Sequence, residues 1–545
     1  MKHTLYKPEP VLSIRSMVEN ATNKAPDAIA YKYKKDHEVI SVTRREFYET
    51  IEGLGAALTA RGFGSAHIAC IGENSYPWIV TYLTALMSAG VYVPLDKELS
   101  PDQVVFLLND SDSKIVFCDE KWLDRLKEKE SELPNIEYFV CFDSPSHDGK
   151  ILSFCRLIEE GKALPKEAFD GLQSDPTAMK DLVYTSGTTG VAKGVMLTEK
   201  NLISGVYYGL QVSTIYGCGL SVLPYNHTYE AVCDILVAIH AGVTLCINDS
   251  LRKVQENMKL FRPDYIYLVP MFAEHFYNVI QANIDKQGKR GAFRFAMGLS
   301  RFLRFFGIDV RRKLFASIHR EFGGKLRKIV CGGAPIRTDI GKFFDAIGLP
   351  MTGGYGITEC SPLVSVNDEK SNNFSSAGHR LPCLEWRIEN PDGDGIGEIC
   401  VKGDVVMKGY YKRPDLTAEV LRDGWFYTGD FGYITKNDEI VITGRKKNII
   451  VLSNGKNVYP EELEGYIQPL SDVCEVVCSG VKNEFGQSVA LRAEIFPVEG
   501  CEKDEAAFLS EVRAAMQELP HYKQIAEVTL RCEPFPKTAT KKIKR

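Results

Sequence analysis

The sequence has no apolar run of about twenty residues, the length that a helix needs to cross a bilayer, so an integral membrane protein is not expected. Its first residues, MKHTLYKPEP, lack the apolar core of a secretory signal. An excess of positive charge is missing too: 66 Lys and Arg stand against 71 Asp and Glu, a net charge of -5. No global positive field is present to hold nucleic acid or an anionic membrane, so any basic site must be local. The 15 cysteines contain no CxxC pair, and Cys474 and Cys478 have no histidine at zinc-site spacing. Neither a metal cluster nor a disulfide framework is expected, and reduced cysteines suit the cytoplasm. No fixed-period repeat occurs, which argues against solenoids and propellers.

What is present has the balance of an ordinary globular protein, 44% hydrophobic and 25% charged. At 545 residues the chain exceeds what one core needs, and three or four structural units are expected. Up to about residue 389, short apolar runs alternate with helical patterns: IACIG at 68–72, KIVFCD at 114–119, VTLCI at 243–247, YIYLV at 265–269 and KIVCGG at 328–333. Such runs are the mark of buried parallel strands, so the fold class is α/β. From Gly397 the texture turns to glycine-punctuated strands, GEICVKG, GWFYTGDFGYI and DEIVITGRKKNIIV, which predict a smaller β-rich, barrel-like unit. A division into 1–445 and 446–545 follows, the second part being a small α+β domain. Its helix over 504–518 would set Ala507, Phe508, Val512, Met516 and Leu519 on one face.

The most informative run is YTSGTTGVAKG, Tyr184 to Gly194. Hydroxyls and glycines concentrated in this way form a turn whose backbone N–H groups can wrap phosphate oxygens, with Lys193 supplying charge. It is no Walker loop, because the spacing to a GK followed by Ser or Thr is absent. A polar surface loop is the bland alternative for a lone GTTG, but the ordered string is far more specific.

TSGTTGVAKG resembles the phosphate-loop signature of the adenylate-forming enzymes, which include acyl-CoA synthetases, firefly-type luciferases and peptide-synthetase adenylation domains. Further motifs follow in the family's order across essentially the whole chain. The resemblance gives Thr185, Ser186, Gly187, Thr188, Thr189, Gly190 and Lys193 to the phosphates of ATP. In GGYGITE, 353–359, it gives Gly354, Tyr355 and Gly356 to adenine, Thr358 to the α-phosphate, and Glu359 with Thr188 to magnesium (Mg2+). CGGAP, 331–335, resembles the adenine-side loop, with Gly333, Ala334 and Pro335 against the base. Asp430, closing WFYTGD, and Arg445 in GRKKN would hold the ribose hydroxyls.

The same resemblance makes Lys447 a hinge about which a mobile C-terminal domain turns between reactions. A thiol channel would form near Ser453 to Lys456, where Gly455 suits a pantetheine arm. The closing run PKTATKKIKR, Pro536 to Arg545, resembles the family's last motif, whose lysine meets the charge developing as a carboxylate attacks the α-phosphorus. Register on Pro536 and Ile543 favours Lys542; Lys541 stands where family members commonly carry glycine. Taken singly, Glu359 could be a helix-cap acid, Tyr355 a core ring and Asp430 a turn residue.

LPYNHTYE, 223–230, resembles the LPxxHxxE segment of long-chain fatty acyl-CoA synthetases, whose histidine, here His227, lies beside the acyl site. A plain structural histidine is the alternative. No aspartate stands there to pair an amino acid's α-amino group. The expected substrates are therefore a fatty acid, ATP and coenzyme A. Delivery to a carrier protein's phosphopantetheine, an aryl acid, or a nucleotide- or acyl-binding protein that has lost catalysis are the competing readings. In 292–315, AFRFAMGLSRFLRFFGIDVRRKLF, arginines alternate with phenylalanines. That is either an interfacial segment in weak peripheral contact with the inner face of a membrane, or a packed amphipathic helix with snorkelling arginines, the commoner use of such a pattern.

Overall fold

The structure, a computed structural model, describes residues 5–36, 38–172, 175–185, 192–369, 372–453, 456–484, 486–537 and 543. The chain forms two compact units that share it in alternation. The first is Met1–Asn373, Gly378–Leu384 and Lys402–Leu421; the second is Phe374–Ala377, Glu385–Val401 and Arg422–Arg545.

The five apolar runs become strands of two sheets in the first unit. Among the described residues, one sheet runs Gly409–Tyr410, Lys193–Thr198, Met179–Thr185, Val91–Pro94, His67–Ile71, Ile115–Cys118, Tyr138–Cys141, Ile151–Ser153, and is parallel from Met179–Thr185 onward. The other has a parallel centre of Met351–Gly356, Lys328–Cys331, Tyr265–Leu268, Cys218–Ser221, Thr244–Ile247 and Ile29–Lys35, with antiparallel strands at both ends. Strands buried on both faces read as continuous apolar runs, which is why they were legible.

The helix Tyr76–Met87 ties the sheets together. Every residue from Trp78 to Met87 is buried, as an all-round apolar sequence demands. Trp78 meets Tyr92 of one sheet edge-on at 6.3 Å between ring centroids, and Tyr76 stacks on Tyr33 of the other at 5.4 Å.

Leu384–Glu389, Gly397–Gly403, Trp425–Ile434 and Ile440–Arg445, most of whose residues belong to the second unit, lie in one small sheet, in which Trp425–Ile434 runs antiparallel to Gly397–Gly403 and to Ile440–Arg445. Beyond it, Val473–Lys482, Ser488–Pro497 and Glu527–Leu530 form a three-stranded sheet, its core including Leu463 and Ile467 of the helix Pro460–Ile467. The expected C-terminal helix runs Glu505–Ala515, capped by the Asp504 carboxylate, which accepts from the Ala507 N–H at 2.8 Å. Its Phe508 and Val512, with Met516 just past its end, are fully buried. Among the described residues no helix is long and apolar enough to cross a membrane.

Candidate active site

Thr185 ends one strand and Lys193 begins the next, and the two face each other in antiparallel register. Ser186, Gly187, Thr188, Thr189 and Gly190, which connect them in sequence, lie outside the described residues. The strand entering this hairpin buries two charged side chains. Burial pushes the Asp181 carboxyl up to about 8 and the Lys180 amine down to about 8. The Lys180 ammonium donates to the Ser88 carbonyl, whereas Asp181 Oδ1 has no hydrogen-bond partner.

The strand Gly409–Tyr410 pairs along Lys193–Thr198, with Tyr410 opposite Val195. Lys193 Nζ sits 5.1 Å from the centroid of the Tyr410 ring. The Tyr410 hydroxyl in turn donates to Glu359 Oε1 at 2.9 Å. Burial, reinforced by the Glu359 carboxylate, holds this phenol well above its ordinary pKa, so it remains a donor.

The segment carrying Tyr410 is fixed along its length. The Asn201 amide donates to the carbonyls of Asp404 and Val406 at 2.7 and 2.9 Å, and Ser361 Oγ to that of Val405 at 2.9 Å. The N–H groups of Met407, Lys408 and Tyr411 donate to the carbonyls of Glu359, Met196 and Gly194. Thr358 and Glu359 occupy a single helical turn, Thr358–Cys360, and are thereby held beside the hairpin. Sequence reasoning missed Tyr410. The available signal was the glycine before two tyrosines, since a glycine inside a strand marks a close approach: a Cβ on Gly409 would stand 2.8 Å from Thr417 Cγ2.

The expected adenine-side residues end adjacent parallel strands, Lys328–Cys331 and Met351–Gly356. Carboxyl ends of parallel strands are where ligands bind in such sheets. Gly333 has φ +83°, a conformation that favours glycine, and with Ala334 and Pro335 it is exposed. Tyr355 is buried opposite Ser365. Close chain approach accounts for its flanking glycines: a Cβ on Gly354 would lie 2.7 Å from the Ser365 carbonyl oxygen, and one on Gly356 2.3 Å from that of Pro362.

His227 is half-buried and precedes the short helix Thr228–Glu230. Its turn is clamped by Asn74, whose amide donates to the Leu223 carbonyl at 2.7 Å and accepts from the Tyr225 N–H at 3.2 Å. Two residues on, the Tyr229 hydroxyl donates to the Val330 carbonyl at 3.2 Å, and its ring comes within 2.9 Å of where a Cβ on Gly332 would be. Tyr229 thus couples the His227 turn to the CGGAP loop, another link invisible in sequence.

The remaining expected residues belong to the second unit. Asp430 and Arg445 are register partners, and Arg445 Nε lies 3.0 Å from the buried Asp430 Oδ1. Lys447 is exposed in the helical turn Lys446–Asn448, beside Lys446, which pairs with Glu398 at 2.8 Å. Gly455, Lys541 and Lys542 lie outside the described residues. Leading to the last two, the Phe535 N–H and Lys537 Nζ both reach the Glu475 carboxylate, at 2.8 and 2.5 Å, and Lys537 pairs with Ile543.

Among the described residues no three His, Cys, Asp or Glu side chains group to hold a metal ion. Of the two residues expected at magnesium, Thr188 lies outside the described residues and Glu359 is described; magnesium commonly takes only one or two carboxylates and completes its shell with phosphate and water oxygens.

A family model described as the AMP-binding enzyme matches residues 18–411. The long-chain-fatty-acid–CoA ligase FadD15 of Mycobacterium bovis is 27% identical to this chain, covering 89% of it and 83% of its own length. The peroxisomal long chain acyl-CoA synthetase 6 of Arabidopsis thaliana is 29% identical over 83% of this chain and 69% of its own. In structure, ATP-bound MatB from Rhodopseudomonas palustris superposes with a TM-score of 0.76 at 22% identity, covering 98% of this chain and 97% of its own, which establishes a shared fold. The hairpin, the glycine-rich strand ends and a match over most of the chain converge on one conclusion: this protein belongs to the AMP-binding enzyme family, the adenylate-forming enzymes that its motifs resemble.

Proposed function

We propose that the protein activates a medium- or long-chain fatty acid with ATP and passes the acyl group to the thiol of coenzyme A. The carrying observation is the Lys193–Tyr410–Glu359 chain of contacts at the mouth of the 185–193 hairpin. It brings together a cation for phosphate oxygens, a carboxylate for a hard divalent ion, and a neutral donor that orients the carboxylate. In the first step a carboxylate oxygen of the acid attacks the α-phosphorus, the bond to the β-phosphate breaks and pyrophosphate leaves. The thiolate of coenzyme A then attacks the acyl carbon of the mixed anhydride and AMP departs. Magnesium at Glu359 would neutralise phosphate charge.

In this reading Thr185, Lys193 and the 186–190 run hold the phosphates, Tyr355 and the 333–335 loop hold adenine, and Asp430 holds the ribose. Arg445 supports Asp430 through the ion pair already present. Lys542 serves the adenylation step only, and the 446–545 domain turns about Lys447 to exchange Lys542 for the thiol channel at Gly455. The fatty-acid assignment is supported by His227 in its LPYNHTYE segment and by relatives named as long-chain-fatty-acid–CoA ligases.

The test is acid-dependent exchange of labelled pyrophosphate into ATP across a panel of aliphatic and aryl acids, followed by trapping with coenzyme A. Exchange with fatty acids and conversion to a thioester is the expected result. Preference for an aryl acid, transfer only to a carrier protein, or ADP as product would overturn it.

A further inference from the structure

The helix Arg290–Phe305 does not pack as its amphipathic sequence led us to expect. Of its sixteen residues only Ser300 is buried. One side is anchored, with Phe293 against Phe315 and Phe343 at 5.4 and 6.1 Å between ring centroids. The opposite side carries Phe295 and Phe302 at a seven-residue spacing, continued by Phe305, Phe306 and Ile308, which are 72, 62, 85, 61 and 52% exposed respectively. Phe306 meets Phe302 and Phe305 edge-on, at 5.1 and 5.3 Å between ring centroids. Of the five exposed phenylalanines among the described residues, four are in this patch. Exposed apolar surface concentrated in this way marks an interaction site.

Charge identifies the partner. In a chain of net charge -5, residues 286–314 hold nine Lys and Arg and a single acid, Asp309. Arg304 is paired with Asp345 and Arg290 with Asp285, but Arg294 and Arg301, flanking the phenylalanine stripe, have no acidic partner among the described residues. A helix with an apolar stripe and a basic flank lies in the interface of an anionic bilayer, its rings in the acyl boundary and its cations among the headgroups. A second copy of the chain fits poorly, because a symmetric contact would bring two such basic segments together.

We propose that the Phe295–Ile308 face docks on a membrane surface containing anionic lipid. This goes beyond the catalytic reading and does not depend on which acid is activated. The experiment is flotation of the full chain, without ATP or acid, with vesicles of phosphatidylcholine alone or mixed with phosphatidylglycerol. Recovery with the mixed vesicles, reversed by salt, is expected. Arg294→Gln with Arg301→Gln should weaken binding about thirtyfold, from the usual worth of a basic residue at such a surface. Phe302→Ser with Phe305→Ser should weaken it at least about tenfold. Both pairs should melt at the parent temperature and keep pyrophosphate exchange with a water-soluble acid, since these side chains are exposed. Equal recovery with both vesicle types, or binding untouched by both pairs, would overturn the proposal. So would a dimer in light scattering that the phenylalanine variant dissolves, which would give the face to a second copy.

Discussion

Replacing Tyr410 with phenylalanine keeps the ring beside Lys193 and removes only the hydroxyl that donates to Glu359 Oε1 at 2.9 Å. A hydrogen bond to an ionised group contributes about 1.5–3 kcal/mol, so if the carboxylate must be held for metal and phosphate, adenylation should slow roughly ten- to a hundredfold. The fold should hardly notice, because the backbone bonds of Met407, Lys408 and Tyr411 keep the segment in place without the side chain. Initial rates of pyrophosphate exchange at varied ATP and magnesium would measure the loss, which should appear chiefly as a raised magnesium requirement. Differential scanning fluorimetry should find the melting temperature within a few degrees of the parent. An unchanged exchange rate at limiting magnesium would refute the reasoning, and a large fall in melting temperature would assign the hydroxyl to stability instead.

Lys542→Ala should slow acyl-adenylate formation by on the order of a hundredfold yet spare thiolysis of supplied acyl-adenylate, as for a lost charge-stabilising donor; equal losses in both steps in stopped assays would sink that role. Asp181 holds a proton in the folded chain up to about pH 8, but in the unfolded chain only below about pH 4. Its contribution to stability is therefore intact below pH 4 and falls as pH rises to 8, by on the order of 5 kcal/mol. Asp181→Asn should remove that slope in urea unfolding, and parallel pH profiles for variant and parent would count against it. Gly356→Ala would place a methyl 2.3 Å from the Pro362 carbonyl oxygen and should cost about 1–3 kcal/mol, whereas a neutral result would mean that the two strands can part.

The runs at 68–72, 114–119, 243–247, 265–269 and 328–333 were legible because strands covered on both faces need no polar alternation. Their distribution over two sheets was not, because it is decided by which helix covers which strand. Thr185, Lys193, Glu359 and Tyr355 were singled out from local strings. Tyr410 could not be: it reaches the site through pairing with a strand about two hundred residues earlier, and only Gly409 hinted at the approach. The sequence left two readings of the 290–305 helix for a related reason. Periodicity shows that a helix has an apolar stripe, but not whether anything in the same chain covers it.

The chain enters the second unit at Phe374, returns at Gly378, leaves at Glu385, returns again at Lys402 and departs finally at Arg422. The partner that orients Glu359 is thus delivered by the last of these returns. A ribosome that has finished residue 373 has supplied every strand of the hairpin except the one bearing Tyr410, so the first unit cannot mature until the small antiparallel sheet is half synthesised. Swapping the second unit between relatives by one junction would leave this loop behind, and recombination that respects the fold needs crossovers on both sides of 402–421.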